Sequence, residues 1–248
     1  MSTTLTRAAI AGAVFVATTS FATTTASAFE FTGARVGVEY SRFSAKADDG
    51  LGGDVVVERT SLDTGAEFAI TPRFSAQIDV MHHESTYDDS QALGLHGIYM
   101  MQDGAAFGAF VQREAAHGEH IDGYGVEYAR TMGAVDFELF VSTFDGGVDA
   151  DATAFGGSGR YDLGNKFGIV FDAARVDLGD GVKFTRLALG TDYQVSDTAS
   201  VYFSGGTARV SAESASSSEG FMEIGAKFNL GNGTTFANRS LIDLFPGL

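Results

Sequence analysis

At 248 residues the chain is long enough for one large domain or two small ones. With 16 Lys plus Arg against 32 Asp plus Glu, a net charge of −16 argues against a nucleic-acid partner, because a phosphate backbone is held by clustered cations that displace counterions. The absence of Cys removes disulfide frameworks, thiol nucleophiles and Cys-ligated zinc, and 32 Gly beside only 2 Pro is the balance of a turn-rich β protein and not of collagen or a Pro-rich linker.

Residues 1–28 have the pattern of a secretory signal peptide. Arg7 supplies the positive start, Ala8 to Ala17 an apolar core, and Ala26-Ser27-Ala28 a small-residue cleavage site. The apolar core is about half the ~20 residues a membrane helix needs. Cleavage after Ala28 leaves a chain that starts at Phe29 and works outside the cytoplasm. No later apolar run is long enough for a spanning helix, which leaves a soluble exported β-domain or a transmembrane β-barrel, the other structure that satisfies its backbone in lipid.

From Phe29 onward, period-two alternation marks about twelve strands. The first, near 31–43, sets Ala34, Val36, Val38 and Tyr40 against Arg35, Gly37, Glu39 and Ser41. The second, near 59–70, sets Leu62, Ala66, Phe68 and Ile70 against Asp63, Gly65 and Glu67. The third sets Phe74, Ala76, Ile78 and Val80 against Ser75, Gln77 and Asp79. Segments near 92–101, 105–113 and 121–131 follow. In 134–144, Val135, Phe137, Leu139 and Val141 alternate with Asp136, Glu138, Phe140 and Ser142. Segments near 153–163, 166–176, 182–195 and 199–210 lead to the last strand, where Met222, Ile224, Ala226, Phe228 and Leu230 oppose Glu223, Gly225, Lys227 and Asn229.

The connections alternate as well. Tight turns fall at Thr71-Pro72-Arg73, Gln102-Asp103-Gly104, Thr131-Met132-Gly133, Gly164-Asn165 and Ser196-Asp197. Longer polar connections are expected at 44–58, 82–91, 114–120, 145–152 and 211–219, with 177–181 short. Short turns on one side and long loops on the other describe an up-and-down outer-membrane barrel, and an even strand number puts both termini in the periplasm. Twelve spans of roughly 9 to 11 residues use about 108 to 132 residues, which leaves enough for loops and a tail. A soluble sandwich also alternates apolar and polar faces. Export, the rhythm of the connections, and Gly with charges of both signs at strand centres favour an all-β, single antiparallel transmembrane β-barrel spanning 29–230.

Glu223-Ile224-Gly225-Ala226-Lys227-Phe228-Asn229-Leu230 resembles the C-terminal β-signal of Gram-negative outer-membrane proteins. On that resemblance Glu223, Gly225, Phe228 and Leu230 would be read by the barrel assembly machinery. Together with the export signal and the strand Arg35-Val36-Gly37-Val38-Glu39-Tyr40, the chain is similar to small alphaproteobacterial porins. This implies a channel for passive diffusion of small hydrophilic solutes in the outer membrane, with outer-membrane lipid around it and no cofactor. Porins of this kind are commonly trimers, though nothing in the composition demands a homo-oligomer. The chain departs from the family by continuing past the aromatic strand. The tail 231–248 carries Phe236, Leu241, Ile242, Leu244 and Phe245, and is expected as a periplasmic segment suited to packing in the barrel mouth or to binding a periplasmic partner.

Twelve strands lie between barrels filled by side chains and barrels with a wide aqueous channel. The charges expected to line the pore are Arg35, Glu39, Glu67, Asp79, Glu127, Asp136, Glu138, Arg160, Asp172, Arg186, Arg209, Glu223 and Lys227, with Asp63 and Asp192 on the same faces. Carboxylates outnumber cations there, which predicts weak cation preference. The competing arrangement is a plug in which these groups pair with one another.

An enzymatic reading rests on His82, His83, Asp88 and Asp89 in the second outer connection and His117 and His120 in the third. No hydrolase signature accompanies them, and no catalytic or metal site is expected. The alternatives to a channel are a structural or adhesive barrel and a hydrolase at the rim. Asp48, Asp49 and Asp54, and Asp149 and Asp151, have the oxygen donors Ca²⁺ takes, but solvated loop charge is the simpler account. With no Trp, the interfacial girdle falls to Tyr and Phe.

Overall fold

The computed structural model describes residues 29–48, 54–87, 89–116, 118–146, 151–179, 181–212 and 215–245. The signal segment, Asp49, Asp88, His117 and Asp149 lie outside the described residues.

The twelve strands are β1 (Glu30–Asp48), β2 (Asp54–Thr71), β3 (Phe74–Ser85), β4 (Asp89–Met100), β5 (Ala106–Ala116), β6 (Glu119–Met132), β7 (Val135–Asp145), β8 (Asp151–Gly164), β9 (Phe167–Asp177), β10 (Lys183–Ser196), β11 (Ala199–Ala212) and β12 (Ala215–Gly231). Each pairs antiparallel with its neighbour in sequence, and β1 closes on β12 from Gly33↔Gly231 to Phe43↔Phe221. Closure leaves no free sheet edge, the condition for a β structure in lipid.

The apolar face points outward. Val38, Leu62, Ile78, Leu95, Val126, Leu139, Leu189, Phe203 and Ile224 are all exposed on the outer wall, whereas Asp79, Glu114, Glu127 and Glu223 are buried inside. A water-soluble sandwich has the reverse arrangement.

The outer connections expected to be long are mostly strand. β3 runs through His82 and His83 to Ser85, β5 to Ala116, and β12 starts at Ala215. Strands of 11 to 19 residues reach or exceed the length of a bilayer crossing. The backbone ladder continues past the apolar band because its hydrogen bonds do not depend on apolar side chains.

At the opposite edge the turns are short. Between β8 and β9 the two-residue loop Asn165-Lys166 has φ values of 53° and 71°, the left-handed pair that matches hairpin twist. Cross-strand aromatic pairs mark this edge: Phe31–Phe68 at 5.8 Å, Phe74–Tyr99 at 5.0 Å, Phe107–Tyr128 at 4.9 Å and Phe167–Tyr193 at 4.8 Å between centroids. They form the aromatic belt that a Trp-free chain must build from Phe and Tyr.

The tail does not extend into the periplasm as a separate segment. It turns back at Gly231 and Gly233, with Asn232 donating to the Thr32 carbonyl at 3.1 Å, and enters the barrel. A Cβ on Gly33 would lie 2.1 Å from the Gly233 carbonyl oxygen, so the turn requires glycine there. The chain then climbs the lumen to a single 3₁₀ turn, Ile242–Leu244.

Candidate functional site in the barrel lumen

A tail inside a barrel has no ladder to satisfy its backbone, so wall side chains must do it. Carboxylates accept from its N–H groups: Glu67 from Thr235 (2.8 Å), Glu138 from Ala237 (3.0 Å) and Glu114 from Leu241 (2.9 Å). Guanidiniums donate to its carbonyls: Arg35 to Phe236 (2.9 Å), and Arg59 to Ile242 and Phe245 (2.9 Å each). Gln77 does both at Phe236, donating at 2.8 Å and accepting at 3.2 Å.

Below the middle of the lumen these contacts join a buried charge chain. Arg35 pairs with Asp63 at 2.7 Å, Gln77 donates to Asp79 at 2.7 Å, and His96 lies 2.8 Å from Asp79 and 2.5 Å from Glu127. Glu127 also accepts from Arg239 at 3.0 Å, and Arg239 pairs with Glu138 while stacking on Phe140 at 4.6 Å. Charge-assisted bonds of this kind contribute about 1.5–3 kcal/mol each. Phe236, fully buried against Ile98 and Ala106, sits beside this chain and excludes water from it.

Near the outer end the lumen is apolar. Phe140, Phe144, Ala154, Val176, Phe184 and Phe221 are buried around Leu241, with Leu244 and Phe245 packed on them. The Phe184 and Phe245 rings are 4.4 Å apart.

On the β6–β12 side the tail leaves space. A cavity of about 740 Å³ extends from Gly104 and Arg130 at the short-turn edge to Arg186, Glu223 and Asp243. At its inner end Arg186 pairs with Asp172 and with Glu223 at 2.5 Å, Ser204 donates to Glu223 at 2.8 Å, and Tyr202 donates to Glu39 at 2.5 Å. Lower down, Arg160 donates to Asp192 at 2.8 Å and the Lys227 ammonium lies 5.0 Å over the Tyr202 ring.

No protein-family model matches the sequence, and no curated protein does. Solved structures do match. The KdgM porin aligns at a TM-score of 0.56 and 9% identity over 78% of this chain and 98% of that one. The NanC porin aligns at 0.53 and 9% over 79% and 98%, and the COG4313 outer membrane channel from Pseudomonas putida F1 at 0.52 and 13% over 80% and 96%. The fold is that of the outer-membrane porins.

In this porin-type barrel the charges read from the sequence divide into four groups. Arg35, Glu67, Asp79 and Glu127 hold the tail, directly or through one another, and do not face an open pore, whereas Glu138 holds the tail at Ala237 and also lines the cavity. Glu39, Asp172, Arg186 and Glu223 form the ion cluster at the inner end of the cavity, and Asp136, Arg160 and Lys227 line its lower wall. Arg209 is misplaced in the sequence reading: it shares the outward face with Val201 and Phe203, and its guanidinium reaches Ser216 at 3.3 Å outside the barrel. In the segment that resembles a β-signal, a Cβ on Gly225 would come within 2.5 Å of the Tyr202 ring, so this glycine makes room for the tyrosine that binds Glu39, while Phe228 and Leu230 are exposed at the aromatic edge.

Among the described residues, His82 and His83 do not form a joint site. His82 and His83 are consecutive on β3 and point to opposite sides of the wall, and His83 is held inside by Ser61 at 2.8 Å. Among the described residues no group of three or more His, Cys, Asp or Glu could hold a metal ion. Arg59, Glu114, His96 and Arg239 are the site residues the sequence reading missed. Arg59 and Glu114 share inward parity with Ser61 and Gln112; Arg59 stands at the first position of the expected second strand, and Glu114 at the start of an expected loop.

Proposed function

We propose that this chain is an outer-membrane channel for small hydrophilic solutes whose lumen is held shut, in the conformation described, by its own C-terminal tail. The observation that carries this reading is the charged cavity of about 740 Å³ beside a tail bonded to the wall mainly through side chains. A segment fixed in this way can leave the lumen while the strand ladder stays intact. Solutes then pass along the charged wall, and water replaces the tail's partners.

The cavity's acidic residues, Glu39, Asp136, Glu138, Asp172, Asp192, Glu223 and Asp243, outnumber Arg130, Arg160, Arg186 and Lys227, which supports a weak preference for cations. The KdgM porin has also been solved with disordered oligogalacturonate, a polyanion; the acidic excess here favours the opposite charge. Export through the signal segment, cleavage after Ala28, insertion by the barrel assembly machinery through Glu223, Gly225, Phe228 and Leu230, and any self-association belong to the same proposal.

A second reading, a non-conducting structural barrel, is favoured by the buried Phe144 and Val176 across the outer lumen. Zero-current potentials under a KCl gradient, with swelling of proteoliposomes in neutral sugars, separate the two. Channel function predicts swelling and a cation-selective potential. No conductance from full-length or tail-released protein, or an anion-selective potential, contradicts it.

A further inference from the structure

The outer wall carries a row of residues that the channel does not use. Arg175 on β9 pairs with Thr185 on β10, Thr185 with Arg209 on β11, and Arg209 with Ser218 on β12. All four lie on the outward face. The two arginines are two strands apart, roughly 10 Å at the backbone, so that both guanidiniums can reach a common group between them. The short Thr185 and Ser218 leave a dent there, a concavity of about 400 Å³ lined by the four together with Leu187, Thr207 and Ser211.

Two features distinguish this row from ordinary surface charge. It borders the apolar band, since Leu187, Phe203 and Met222 on the same strands are exposed just toward the short-turn edge. It contains no carboxylate, and Asp177, the acid next along β9, lies 4.0 Å from Lys183. By contrast Arg113, also outward near the long-loop edge, is matched across the strand by Asp122 at 2.7 Å. In a chain with net charge −16, two arginines flanked by hydroxyls and without an acid bridged to them among the described residues are a local exception.

We infer that the row Arg175, Thr185, Arg209 and Ser218 binds the phosphorylated headgroup of an outer-leaflet glycolipid, with acyl chains lying on the apolar band below. Guanidiniums recognise phosphate by paired charge-assisted bonds, hydroxyls complete its hydrogen bonding, and the adjoining apolar wall selects a lipid over a free ion. The inference rests on the barrel spanning a bilayer and is independent of whether the lumen conducts.

Native mass spectrometry of the full chain in a neutral detergent tests it with lipid A, dephosphorylated lipid A and inorganic phosphate as probes. The expected result is retention of lipid A by the wild type, at least tenfold weaker retention by the R175Q/R209Q variant, and no change in R113Q. Dephosphorylated lipid A should bind as weakly to the wild type as lipid A does to the double variant. A heat-modifiable band in SDS checks that each variant is folded. Equal retention by R175Q/R209Q, an equal loss in R113Q, equal binding of the dephosphorylated lipid, or inorganic phosphate binding as tightly as the lipid overturns the assignment.

Discussion

The Arg35 guanidinium donates to the Phe236 carbonyl at 2.9 Å, joining the first strand to a residue 201 positions later. Arg35 also holds Asp63 and Thr234, so one side chain ties the β1–β2 wall to the tail. The tail's place in the lumen is therefore set by buried polar groups, and its occupancy can be altered without touching the strand ladder.

Gly33→Ala should displace the tail. Its new Cβ would meet the Gly233 backbone at 2.1 Å, where no flexible side chain can move away. We expect G33A to keep its folded band in cold SDS while the tail becomes cleavable by protease added to detergent-solubilised protein. A tail as resistant as in the wild type would contradict the packing described.

Phe236→Ala removes the fully buried ring that covers the charge chain. Phe→Ala in a packed site costs about 3–5 kcal/mol. Because this ring packs between tail and wall, most of the loss should appear as tail release, with more frequent openings in bilayer recordings and a smaller change in the temperature at which the barrel itself unfolds.

Glu127→Ala leaves both His96 and Arg239 without the carboxylate they share. Breaking a buried pair from one side costs about 3–5 kcal/mol. The urea midpoint of the protein in lipid vesicles should fall accordingly, and Arg239→Met combined with Glu127→Ala should recover part of the loss. Additive losses in the double variant would show that the two residues act separately.

Leu189→Arg tests the outward face. Leu189 is 64% exposed near the middle of β10, and an arginine at the bilayer midplane of a barrel costs about 2–4 kcal/mol. The variant should be less stable in vesicles than the wild type by that amount. An unchanged stability would place this face in water.

The twelve strands are legible because alternation of the β7 kind, Val135, Phe137, Leu139 and Val141 against Asp136, Glu138, Phe140 and Ser142, recurs along the chain. The same rule places Arg209 outside with Val201 and Phe203. Its assignment to the lumen came from treating charge as a lumen marker across Gly205-Gly206-Thr207-Ala208, a run with too little contrast to show the face. The tail was visible as a set of apolar residues, but residues 231–245 have no period to show what covers them. Their destination depends on Arg59, Glu114 and Gln77, which lie far away in sequence. His82 and His83 read as a loop pair because their strand continues beyond the apolar band.

The central claim is that the tail closes a channel. Single-channel conductance of the full chain and of a chain ending at Asn232, recorded in the same planar bilayer at the same salt, tests it most directly. The account predicts brief, low-conductance openings for the full chain and a sustained, several-fold larger, cation-preferring conductance for the shortened one. A shortened chain that folds, inserts and passes no more current than the full chain would contradict it.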